Sequence, residues 1–161
     1  MSAVHDIVAT YRGPRRVVRR ILDAGINEPR ALVILLAGCA VMFIAQWPRL
    51  SRLSVESGDA LNPLLGGALI GLMFYLPLAL YALALVTFAI LRLAGGKGTT
   101  AYAVRIALFW ALLASAPIML LWGLTAGFVG QGPAMTAVGV LWCAMFLWVW
   151  ISGLVEAWKT T

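Results

Sequence analysis

Charge is absent from three long tracts of this chain: no Asp, Glu, Lys or Arg occurs in 31–47, 60–91 or 106–155. This pattern restricts the fold more than any other feature. About 20 apolar residues in a helix cross a hydrocarbon layer of about 30 Å, and backbone polar groups inside that layer need internal partners. Only 11% of the 161 residues are charged, against about 25% in an ordinary soluble domain. With 63% hydrophobic residues, the chain cannot cover itself in polar surface. The pattern predicts an all-α integral membrane protein.

Prolines mark where the helices start. Gly13-Pro14, Asn27 with Pro29, Asn62-Pro63 and Gly132-Pro133 each set a cap residue near a proline in a first helical turn, where its missing N–H costs nothing. Thr99 or Thr100 can cap a further helix after the flexible Gly95 to Gly98, and Pro48 ends the first apolar run. The expected map is a basic amphipathic interfacial helix at about 14–24 and four transmembrane helices at about 29–47, 64–92, 101–127 and 133–157. All belong to one membrane domain, 1–161. Six arginines and three acids precede the first tract, with no small-residue cleavage site close behind it, so a cleaved signal peptide is not expected.

On this map Arg12, Arg15, Arg16, Arg19, Arg20, Arg30, Arg92, Lys97, Arg105 and Lys159 share one side, and only Arg49 and Arg52 lie on the other. The positive-inside rule then puts both termini in the cytoplasm.

In the segment RRVVRRIL, paired arginines alternate with paired apolar residues. At 100° per residue, Arg15, Arg16, Arg19 and Arg20 gather on one face and Val17, Val18, Ile21 and Leu22 on the other. Such a helix lies in the membrane interface, its arginines toward anionic headgroups, each worth about 1 kcal/mol. The plainer reading is an anchor that only sets topology. The expected partner is a lipid bilayer with anionic headgroups, and no nucleic acid.

No ionisable residue falls near the middle of a span, so neither a proton relay nor a catalytic set of nucleophile, base and acid can be assembled. No catalytic residue, cofactor or metal is expected. Cys39 and Cys143 lie inside apolar tracts and read as small packing residues. Pro77 and Pro117 sit near the centres of the second and third spans and free the carbonyls of Met73 and Leu113. Either the kinks are static, with a hydroxyl such as Ser115 satisfying the carbonyl, or they hinge. Gly67 with Gly71 and Gly123 with Gly127 form GxxxG pairs, and Ala107, Ala111 and Ser115 continue the small-residue pattern. These allow close helix approach within the chain or against a partner, another membrane protein or a second copy. Trp142, Trp148 and Trp150 run along the last span. Trp148 and Trp150 lie 200° apart, so at least one of the three meets lipid or another protein. Glu156 is expected to pair with Lys159.

The segment RLAGGKGTTAY, residues 92–102, invites comparison with a phosphate-binding loop. That loop needs G-x-x-x-x-G-K-[ST] after a strand. Here Gly98 follows Lys97, Leu91 stands five before Gly96, and a spanning helix precedes the glycines. No nucleotide is expected, and the glycines read as a tight cytoplasmic reversal.

Taken together, Gly13-Pro14-Arg15-Arg16-Val17-Val18-Arg19-Arg20-Ile21-Leu22, the loop Leu93-Ala94-Gly95-Gly96-Lys97-Gly98-Thr99, the mid-helix Pro117 and the ending Gly153-Leu154-Val155-Glu156 resemble the Yip-one (Ypt-interacting protein) family in its short bacterial form. The resemblance implies a non-enzymatic multi-pass protein of the bacterial cytoplasmic (inner) membrane. Eukaryotic members look like organisers of vesicle membranes that contact Rab GTPases. This chain departs from the family in having four spans rather than five and in lacking a long polar amino-terminal region, so Rab binding is not carried over. The functional expectation is a membrane scaffold or an accessory subunit of a larger membrane complex. The alternative is a small channel or carrier for a neutral solute, gated at the Pro77 and Pro117 kinks.

Overall fold

The computed structural model describes residues 3–96 and 98–159. Lys97, counted above among the cations of one side, lies outside the described residues. Every element among those residues is helical. Two short helices, α1 (Ala3–Thr10) and α2 (Pro14–Asp23), precede four long ones, Glu28–Ser57, Leu61–Leu93, Ala101–Phe128 and Pro133–Lys159. Each of the four is long and apolar enough to cross a membrane.

The caps explain most boundaries. Asn27 Oδ1 accepts from the Arg30 N–H at 3.0 Å, and Thr100 Oγ1 accepts from the Ala103 N–H at 3.2 Å. Both side chains thereby satisfy a free amide of a first turn. The second long helix differs from expectation: it starts at Leu61, with Ala60 rather than Asn62 before it. Pro63 still falls in the first turn, where no N–H is needed.

Pro48 does not end the first long helix, which continues to Ser57. Past the proline the helix is held from outside. Leu50 is buried, Arg52 Nε meets Glu56 Oε1 at 2.6 Å one turn on, and Arg52 Nη1 donates to the carbonyls of Gly127 and Phe128 at 3.3 and 3.4 Å. Those are free carbonyls at the end of the third long helix, a natural place for a cation.

Ahead of Pro77 the second long helix widens into a π-helical turn, Gly71–Tyr75, in which the Leu76 N–H bonds the Gly71 carbonyl five residues back. A π turn is a known way to absorb a break in the usual bonding ladder. At Pro117 the third helix stays α-helical. Ser115 donates to the Leu112 carbonyl at 3.1 Å, not to Leu113 as expected, because its hydroxyl reaches back three residues rather than two.

The third long helix is the axis of the molecule. The first packs along it, and the fourth packs on another side. From Tyr102 to Ala116 every residue except Arg105 is buried. The second long helix is peripheral, with only Leu80 and Ala84 buried on its last 18 residues.

Candidate membrane-surface and partner site

The basic segment forms the helix its periodicity predicts, with Pro14 at its start and Val17 and Val18 buried. What covers those valines differs from expectation. Rather than dipping into acyl chains, the apolar face of α2 is docked on the bundle. Val18 Cγ2 lies 3.6 Å from where a side chain on Gly153 would begin, and that same position is 2.8 Å from Ala107 Cβ. Gly153 and Ala107 let the third and fourth helices come so close that a flat seat is left for Val18. A docked face excludes water as well as a lipid-buried one does, and it fixes the helix in one orientation.

With the valines turned inward, Arg15, Arg16, Arg19 and Arg20 all remain exposed. They divide into two pairs. Arg20 Nη1 meets Asp6 Oδ1 of α1 at 3.1 Å, and Arg19 Nε meets Glu156 Oε2 of the fourth helix at 3.5 Å. Through Arg19, Glu156 joins α2 to the bundle, a link that the expected pairing with Lys159 did not include. Glu156 is buried beside Ser152, Gly153 and Ala157, the face on which α2 sits, while Lys159 is exposed. Arg15 and Arg16 enter none of the ion pairs among the described residues. Nearby, Arg105 Nη2 and Glu28 Oε1 at 2.6 Å tie the third helix to the first at the same end.

Sequence reasoning missed α1 and what it does. Thr10 is fully buried, donates to the Asp6 carbonyl at 2.7 Å and accepts from Trp110 Nε1 at 3.1 Å. Tyr11 donates its hydroxyl to the Ala114 carbonyl at 3.1 Å, one turn before Pro117. Burial raises the Tyr11 phenol above its ordinary pKa. No periodicity marks Thr10 or Tyr11, since each acts through one long-range hydrogen bond rather than a face.

The two glycine pairs have different fates. A side chain on Gly123 would overlap the Ala45 carbonyl, and one on Gly127 would press on Pro48. This pair brings the backbones of the first and third helices together. Gly67 and Gly71 have nothing within 4 Å, so no close approach inside the described chain uses them.

On the fourth helix the rings of Trp142, Phe146 and Trp150 line up one turn apart, the first pair stacked at 5.6 Å and the second tilted at 5.9 Å, and packed against the core. The indole N–H groups of Trp142 and Trp150 are buried and have no hydrogen-bond partner among the described residues. Trp148 points away and is exposed, in keeping with the 200° separation from Trp150.

No protein-family model, no curated protein and no solved structure matches the chain.

Proposed function

We propose that this is a multi-pass membrane protein that works as a scaffold or accessory subunit of a larger membrane complex, without catalysis of its own. The observation that carries the reading is the docking of α2. Its apolar face is taken up by its own bundle and by the Arg19–Glu156 pair, leaving Arg15 and Arg16 as a fixed basic surface at one end. That surface suits anionic headgroups. With ten of the twelve Lys and Arg residues assigned to this end, the same surface is the cytoplasmic one, and the membrane is the bacterial inner membrane that a Yip-one resemblance implies. The open Gly67–Gly71 face offers the place where a second copy or another membrane protein packs.

A carrier for a neutral solute, gated at Pro77 and Pro117, has less support. Ahead of Pro117 every residue from Tyr102 to Ala116 except Arg105 is buried, which favours a static role for that proline.

The test is gentle solubilisation of native membranes with the tagged full-length chain. A companion or dimer retained in stoichiometric amount, and lost in Gly67→Leu with Gly71→Leu, is the expected result. A strictly monomeric chain, together with solute flux through reconstituted vesicles that fails in Pro77→Ala, would replace the scaffold reading by the carrier.

A further inference from the structure

A groove opens at the end of the molecule opposite α2, where the first and third long helices finish and the fourth begins. Its mouth is a cleft of about 360 Å³ lined by Arg49, Arg52, Glu56 and Gln131. Its lower part, about 580 Å³, passes Trp122, Gly139, Val140 and Cys143. Gln131 and Met135 line both, and Arg49 of the mouth lies over Trp122 of the lower part, so the two adjoin as a groove with a polar top and an apolar floor.

The charges at the mouth are unequal. Arg52 is matched by Glu56 at 2.6 Å and is further engaged by the carbonyls of Gly127 and Phe128. Its guanidinium lies where a side chain on Gly130 would sit, and Gly130 has φ +90°, so the turn between the third and fourth helices admits the arginine only because it is glycine. Arg49 enters none of the ion pairs among the described residues. It bonds Gln46 Oε1 at 3.2 Å and lies 5.9 Å from the centre of the Trp122 ring. The mouth thus has one positive charge in excess, on an exposed guanidinium poised over an indole.

The floor has the depth of one leaflet. Gly132, just before the fourth helix, and Thr136, Gly139 and Cys143 within it follow one face, and the ten steps from Pro133 to Cys143 rise about 15 Å at 1.5 Å each. Half of a hydrocarbon core is about 15 Å. A side chain on Gly139 would stand 3.3 Å from Trp122 Nε1, so a larger residue there would fill the floor.

We propose that this groove binds one anionic phospholipid of the leaflet facing away from α2, its phosphate at Arg49 and Gln131 and an acyl chain along Trp122, Val140 and Cys143. The excess charge selects an anion, and the amphipathic depth selects one that carries a chain. The site is independent of the arginines of α2, which lie at the other end.

The experiment uses the full-length protein in vesicles containing phosphatidylglycerol with a photoactivatable group on its acyl chain. Cross-linked peptides are mapped by mass spectrometry, with phosphatidylcholine bearing the same chain as the comparison. Phosphatidylglycerol is expected to label the peptide around Cys143 about fivefold more than phosphatidylcholine. Arg49→Gln should bring the ratio to about one, Gly139→Leu should reduce labelling by both lipids, and Arg16→Gln should leave the ratio unchanged. Folding of each variant is checked by monodispersity and near-ultraviolet circular dichroism, and if Gly139→Leu does not fold, Arg49→Gln decides alone. Equal labelling by the two lipids, an unchanged ratio in Arg49→Gln, or a groove occupied by a copurifying protein in place of lipid would each overturn the proposal.

Discussion

The second and third long helices are almost equally apolar, with mean hydropathy 2.3 and 2.0 in their richest windows, yet 11% of one window and 67% of the other is buried inside the protein. Hydropathy states that a helix is compatible with lipid. It does not state whether its sides meet lipid or protein, because an apolar side chain gains little by leaving lipid for a protein interior. What separates the two helices is where their small residues face: Gly123 and Gly127 of the third meet the first helix's backbone, while Gly67 and Gly71 of the second face open space. The third helix sets Ala107, Ala111, Ser115, Gly123 and Gly127 against its neighbours, while the second turns Leu69, Phe74, Leu78 and Leu85 outward.

The sharpest way to break this difference is to enlarge the small residues of the third helix. Gly123→Leu forces a side chain into the Ala45 backbone, which cannot move aside as a flexible side chain would. A loss of about 3 kcal/mol is expected, at the upper end for overpacking, read from unfolding in detergent. Next in size is the seal that α1 places on the third helix. Thr10→Val leaves the Trp110 indole N–H buried without an acceptor, and a loss of about 1–2 kcal/mol should follow, seen together with faster proteolysis of the first twenty residues. Survival of both variants at wild-type stability would show that the third helix is not the packed centre.

Smaller again is Tyr11→Phe, which removes one hydrogen bond to the Ala114 carbonyl at about 1 kcal/mol. The same bond carries a pH signature. Burial raises the Tyr11 phenol above its ordinary value, so the folded chain holds that proton more tightly than the unfolded one. Its contribution is complete below about pH 10 and is lost as pH rises through the raised value; Tyr11→Phe should abolish that alkaline loss. The smallest effect belongs to the second helix: Gly71→Leu meets open space and should change monomer stability by less than about 0.5 kcal/mol. A large change there would mean that the second helix packs within the chain after all.

Much of the architecture was legible because it follows from local rules. The cap at Asn27, the cap at Thr100 and the prolines at positions 14 and 133 each act within one turn, and the helices begin where those residues stand. Pro48 misled because its effect depends on what holds the next turn, and Arg52 does so through carbonyls 75 and 76 residues away. The arginine helix was legible as a helix with two faces. That its valines rest on Ala107 and Gly153 was not, since lipid and protein present the same apolar chemistry to a valine.

By itself, then, the sequence determined four apolar helices, their order, their starts to within about three residues and a basic helix before them, because charge, proline and capping chemistry are written along the chain; the end of the first helix, at Ser57 rather than before Pro48, was not written there. Only the tertiary structure decided which helix is central, which glycine pair brings helices together, that Glu156 meets Arg19, and that Arg49 stands above an amphipathic groove. Those outcomes rest on pairs of residues far apart in the chain meeting at distances of a few ångströms, and no local period records such a meeting.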